Sequence, residues 1–132
     1  MPTRKFVLDT SALFSLIESE AGKERVAQII REEEILLPFI SLLELHYISR
    51  QEQGEEEANR RLALLQQKPI LWQFDEVLLS IASALKANHH ISLADAMIAA
   101  VCIHYDAVLI HKDPEYDQLT GLVEMEPLPY KA

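Results

Sequence analysis

Short apolar runs at residues 6–8, 35–37, 70–73 and 107–110 are each separated from the next by a long stretch of helical pattern. Strands this far apart cannot be joined by tight hairpins; they need crossovers, and crossovers through helices give parallel strands. The chain is therefore expected to be α/β, a parallel sheet of four to five short strands covered by helices, with a weaker fifth strand at 122–125. In such sheets ligands bind beyond the carboxyl ends of the strands. Whatever polar groups follow the apolar runs are thus the first candidates for a site.

The intervening segments support this reading. Residues 12–17 form a short helix ending near Gly22, and 23–34 carry Val26, Ile29 and Ile30 at helical spacing before the solvated run Glu32-Glu33-Glu34. Residues 39–53 are apolar on most sides and should be buried. Gly54 interrupts the pattern, and 55–67 form a polar helix with a stripe at Leu62, Leu64 and Leu65. Asp75 and Ser92 stand where N-caps are wanted, for helices reaching about Asn88 and His104. The tail from Pro127 should fray or pack as an arm. At 132 residues the chain has the size of one domain, 1–132. The single Cys102 lies in an apolar helical run and reads as a small core residue. The amino terminus lacks the apolar stretch of a signal peptide, and no segment approaches the roughly 20 apolar residues of a membrane span. A cytoplasmic protein with no membrane contact is expected.

With 21 acidic residues against 12 basic, the net charge is −9. That argues against a general nucleic-acid binder, whose affinity rests on basic contacts to phosphate. It also directs attention to where the acids stand. Asp9 closes Lys-Phe-Val-Leu-Asp-Thr-Ser, Glu44 lies in Ser-Leu-Leu-Glu-Leu, Asp95 in Ala-Asp-Ala-Met-Ile-Ala-Ala, and Asp113 follows Leu-Ile-His-Lys. Each has an ordinary reading beside a functional one. Asp9 could cap the helix after it, although Thr10 and Ser11 could do the same. Ser41 and Glu44, like Ser92 and Asp95, have the spacing of a capping box, and Asp113 before Pro114 is a common turn arrangement. Glu44 stands out because Ile40, Ser41, Tyr47 and Ile48 surround it on the helix, with no basic partner. Taken together the acids weigh differently. Two carboxylates about 5 Å apart repel by roughly 3 kcal/mol at an effective dielectric near 20, so a convergent set must take up protons or a cation. Oxygen-only donors without a His or Cys cluster favour Mg²⁺ or Mn²⁺ over zinc.

Asp-Thr-Ser after the first strand, Ser-x-x-Glu-Leu, Ala-Asp-Ala-x-Ile-Ala-Ala and strand-x-x-Asp-Pro-Glu-Tyr occur in that order. Together they resemble the PIN-domain nucleases, in particular the VapC-type toxins of toxin–antitoxin pairs, over essentially the whole chain. The resemblance implies a three-layer fold with helices on both faces of the sheet, and a Mg²⁺- or Mn²⁺-dependent endoribonuclease acting on RNA such as a tRNA loop. It implies Asp9, Glu44, Asp95 and Asp113 as the acidic positions, with Asp9 and Asp113 as direct ligands and Asp95 ligating directly or through water. Glu44 would orient or deprotonate the attacking water, or act as a ligand itself. Ser11 matches a polar position that helps orient water, and Asp117 an outer contributor. His111 stands where the family commonly has Thr or Ser. The resemblance further implies a homodimer and a protein antitoxin covering the site.

Rival readings fare worse. A haloacid-dehalogenase-type phosphatase needs a second acid where Ser11 stands, and a von Willebrand A-type adhesion module needs a serine where Leu13 stands. The remaining alternative is a PIN-fold module that binds without cutting.

Overall fold

In the computed structural model, which describes residues 4–130, the apolar runs are strands: β1 (Lys5–Leu8), β2 (Glu34–Pro38), β3 (Ile70–Leu71), β4 (Val108–His111) and β5 (Met125–Pro127). All are parallel, in the order β3-β2-β1-β4-β5. The helices are α1 (Thr10–Ile17), α2 (Lys23–Glu32), α3 (Phe39–Gln53), α4 (Glu55–Leu65), α5 (Glu76–Asn88) and α6 (Leu93–Tyr105), with a 3-10 helix at Pro114–Leu119. Met1–Thr3, on which part of the leader reading rests, and Lys131–Ala132 lie outside the described residues.

Alternation along the strands sorts the helices into two layers. Val7 and Leu109 point into a core with Leu78, Ala82 and Leu85 of α5 and the Ala96–Cys102 face of α6. Their neighbours Leu8, Val108 and Ile110, with Ile35 and Leu37, point into a second core with Ala12, Leu13, Val26, Ile29, Leu42, Leu45 and Leu65. Every residue of β4 is buried, as a central parallel strand covered on both faces requires. Cys102 is buried, in keeping with a core role. Among the described residues no helix is long and apolar enough to cross a membrane.

Chain direction places the site. From β1 the chain steps outward through β2 to β3, then returns across the sheet to β4 on the other side of β1. The connections therefore diverge between β1 and β4, the switch point where open α/β sheets bind ligands. There Leu8 pairs with Ile110, and the Asp9 N–H donates to the Ile110 carbonyl at 3.2 Å.

Two local expectations are corrected, and one ordinary reading is excluded. The capping box at Ser41 and Glu44 does not form, because α3 begins at Phe39, directly after Pro38 and three residues before a Ser41 cap would start it. Ser41 lies inside the first turn, fully buried, with no hydrogen-bond partner for its hydroxyl. The fifth strand is Met125–Pro127 instead of 122–125, because the Leu122 and Val123 amides close turns onto Leu119. The third strand is only Ile70–Leu71; Trp72 and Gln73 are exposed beyond the end of its pairing with Leu37 and Pro38. The tail packs as an arm: Leu128 is buried and its N–H donates to the His111 carbonyl at 2.7 Å.

Candidate metal centre

Asp9 leaves β1 and becomes the N-cap of α1, its Oδ1 accepting from the Ala12 N–H at 2.8 Å. The capping and cleft readings of this residue are thus compatible, because the capped carboxylate still faces the cleft. Ser11 Oγ lies 2.7 and 2.9 Å from the two Asp9 oxygens as donor, and accepts from the Lys112 N–H at 2.8 Å. One hydroxyl therefore ties the end of β1 to the end of β4. Next to it, Thr10 Oγ donates to Glu44 Oε1 at 2.6 Å, so α1 also orients the glutamate that α3 supplies.

Asp95 enters from α6. Ser92 caps that helix by accepting from the Asp95 N–H at 3.1 Å. The reciprocal half of a capping box is replaced by a tertiary contact: Tyr116 Oη donates to Asp95 Oδ1 at 2.9 Å. Asp113 follows β4 and caps the 3-10 helix, accepting from the Glu115 N–H at 2.9 Å. That turn swings Glu115 inward. One carboxylate oxygen each from Asp95, Asp113 and Glu115 lie within 4.8 Å of one another.

Asp9, Glu44, Asp95, Asp113 and Glu115 all line a single cleft of about 320 Å³, with Thr10, Ser11 and Ser92 and an apolar wall of Phe14 and Ile48. Among the described residues no lysine or arginine lines it. Burial, with added repulsion from Asp113 and Glu44, pushes the Asp9 carboxyl up to about 7, against the opposing bonds from Ala12 and Ser11. Burial also raises Asp95; Glu115, Asp9 and Asp113 add to the shift and the Tyr116 phenol works against it. The cleft thus holds more negative charge than it can neutralise from within. Its charged groups are all carboxylates and its other polar side chains are hydroxyls, an oxygen-only set that suits a hard divalent cation. Asp95, Asp113 and Glu115 are spaced to share such an ion, with Asp9 and Glu44 completing the wall.

His111 and Asp117 sit elsewhere. His111 is buried behind the cleft, its Nδ1 accepting from the Asp113 N–H at 3.1 Å and its ring 4.7 Å from that of Tyr116. Burial holds its pKa below the ordinary value. Asp117 is exposed on the far side of the 3-10 helix and accepts from Tyr130 Oη at 2.7 Å. Sequence reasoning passed over Glu115, Tyr116 and Thr10. The Asp-Pro pair signalled a turn, but only a 3-10 helix sends Glu115 to the cleft and Tyr116 to the core. Tyr116 and Leu119, three residues apart and both buried, were the available signal.

The PIN domain family model matches residues 6–122. The chain belongs to the PIN-domain family. Comparison with curated proteins returns no match. Among solved structures, the chain is similar to VapBC2 from Rickettsia felis bound to a DNA fragment from its promoter, at 16% identity and TM-score 0.77, covering 95% of this chain and 99% of that one. It is similar to DNA-bound VapBC from Salmonella typhimurium, at 20% identity and TM-score 0.74, covering 94% and 98%. It is also similar to the sarcin-ricin loop cleaving toxin VapC20 of Mycobacterium tuberculosis, at 17% identity and TM-score 0.72, covering 94% and 99%. At these identities the likeness is one of fold.

Proposed function

We propose that this chain, acting as a single PIN domain, is a Mg²⁺- or Mn²⁺-dependent endoribonuclease and the toxin of a toxin–antitoxin pair. The observation that carries the reading is the cleft itself: five carboxylates at the switch point of a PIN fold, two of them buried, with no lysine or arginine among the described residues lining it. Asp9, Asp95, Asp113 and Glu115 are the residues that would hold the cation. When bound, a divalent ion there would polarise a scissile phosphodiester and lower the pKa of the water that attacks it.

The chain's own groups supply the rest. Thr10 occupies Oε1 of Glu44, leaving Oε2 to accept a proton from the attacking water. Ser11 holds Asp9 and the Lys112 amide together, so the two strand ends keep their spacing as the substrate enters. The net charge of −9 disfavours polyphosphate binding without a cation, so RNA affinity should depend on divalent metal.

A second groove of about 350 Å³ continues from the cleft, sharing Ser11, Phe14, Ile48 and Asp113 and adding Glu18, Glu20, Glu52 and Lys112. Its apolar floor and acidic rim suit a partner segment with basic and apolar side chains, which supports an antitoxin lying over the site. Similarity to structures from toxin–antitoxin systems supports the same role. Exposed Leu43, Tyr47, Trp72, Leu79 and Leu93 accord with a homodimer, to be checked by light scattering.

The test is incubation of antitoxin-free protein with total RNA and tRNA in Mg²⁺ or Mn²⁺, against EDTA and Asp9→Asn. Metal-dependent fragments that vanish in the variant are expected, and their ends identify the substrate. RNA left intact under every metal condition would favour a PIN-fold binding module without catalysis.

A further inference from the structure

Tyr116 is fully buried, yet it carries a hydroxyl that a core position does not need. Its ring packs in the core shared with α6, and its backbone N–H donates to the Asp113 carbonyl at 3.2 Å. It thus belongs to the same turn as Asp113, while its phenol reaches across to Asp95 Oδ1 at 2.9 Å. Asp95 and Asp113 come from different elements, and one side chain bridges them.

We propose that Tyr116 is the positioning residue of the metal centre: its phenol pins one oxygen of Asp95, leaves the other for the cation, and sets the spacing of Asp95 from Asp113. The inference rests on the metal-centre reading above. A buried aspartate on a helix can rotate about two side-chain bonds, and the phenol removes that freedom. It does so without adding positive charge. A lysine or arginine at this point would neutralise the cleft and compete with the ion, whereas a neutral donor orients the carboxylate and leaves the site's charge intact. His111 supports the arrangement from behind, its ring against the Tyr116 ring and its Nδ1 holding the Asp113 amide. Tyr116 touches no reacting atom in this scheme; it acts through Asp95.

The experiment is a calorimetric titration of wild type and Tyr116→Phe with Mn²⁺, joined to steady-state cleavage of one RNA at limiting and saturating Mn²⁺. The phenyl ring preserves the core packing. The variant is expected to bind Mn²⁺ roughly 10- to 100-fold more weakly, the range for loss of a group that orients a ligand. Its cleavage should fall at limiting Mn²⁺ and recover at saturation, with KM for RNA unchanged. A folded variant with wild-type Mn²⁺ affinity overturns the positioning role alone. A wild type that binds no Mn²⁺ overturns the metal-centre reading beneath it. If the variant does not fold, wild-type protein labelled with ¹³C-tyrosine decides the matter. Mg²⁺ should shift the Tyr116 ring signal while Tyr105, at the opposite end of α6, stays put. A Tyr116 signal unmoved by Mg²⁺ that shifts other cleft signals overturns the proposal.

Discussion

The α3–α4 hairpin and the cleft both gather acidic side chains, and they settle the charge in opposite ways. In the hairpin, Glu57 accepts from Arg60 at 2.7 and 2.6 Å and from Arg61 at 3.0 Å, and these arginines hold its carboxyl down at about 2. Arg61 is itself buried and also donates to Ser49 Oγ at 3.0 Å, which ties α4 to α3. In the cleft, neutral donors such as Ser11, Thr10 and Tyr116 orient the carboxylates, and burial pushes Asp9 up to about 7. The charge of Glu57 is balanced by its two arginine neighbours, and the cluster serves packing. The cleft's charge is left open, which suits the proposed binding of a cation.

The sharpest way to break this contrast is Asp9→Asn. Asparagine can still cap α1, so the fold should persist while metal-dependent RNA cleavage falls by at least roughly a thousandfold, read from fragment release. Acidity offers the next test. The folded Asp9 carboxyl sits at about 7, above its ordinary 3.8, so its contribution to stability is complete below about pH 4 and is lost as pH rises through 7. Asp95 shifts in the same direction. Metal-free protein should therefore lose a few kcal/mol over that window, at about 1.4 kcal/mol per pKa unit, and Asp9→Asn should flatten the curve in denaturant titrations.

Metal should reverse that loss. Mg²⁺ at a hundred times its dissociation constant is expected to stabilise the fold by about 2.7 kcal/mol, a gain absent in Asp95→Asn by thermal melting. In the hairpin the ranking follows burial. Arg61→Ala should cost about 2 kcal/mol in chemical denaturation, through lost packing and the orphaned Ser49 hydroxyl. Arg60→Ala, at an exposed pair, should leave the melting temperature within error and matter less still at high salt.

Much of this was legible beforehand, for identifiable reasons. Asp75 and Ser92 cap α5 and α6 where local chemistry placed them, accepting from the Leu78 and Asp95 amides. Gly54, at φ +90° and ψ 168°, ends α3 in an extended positive-φ conformation that is essentially restricted to glycine. The β1 and β4 runs were readable because a strand buried on both faces must be apolar throughout. At Ser41 and Glu44 the capping-box spacing is present, but Pro38 starts the helix earlier, so the ordinary reading of Glu44 falls. Glu44 instead finds its partner in Thr10, 34 residues away in the chain.

The alternation of strands and helices, the caps, and the acids just beyond the apolar runs could all be read from the residues in order. These depend on hydrophobic period and on backbone bonds spanning a few residues. That Asp9, Glu44, Asp95, Asp113 and Glu115 share one cleft, that Asp117 and His111 lie outside it, and that Tyr116 holds Asp95 emerges with the packed fold. Those outcomes depend on the crossover from β3 back to β4, which sets β4 beside β1, and on the 3-10 turn that Asp113 caps. Both bring together groups that no local spacing relates.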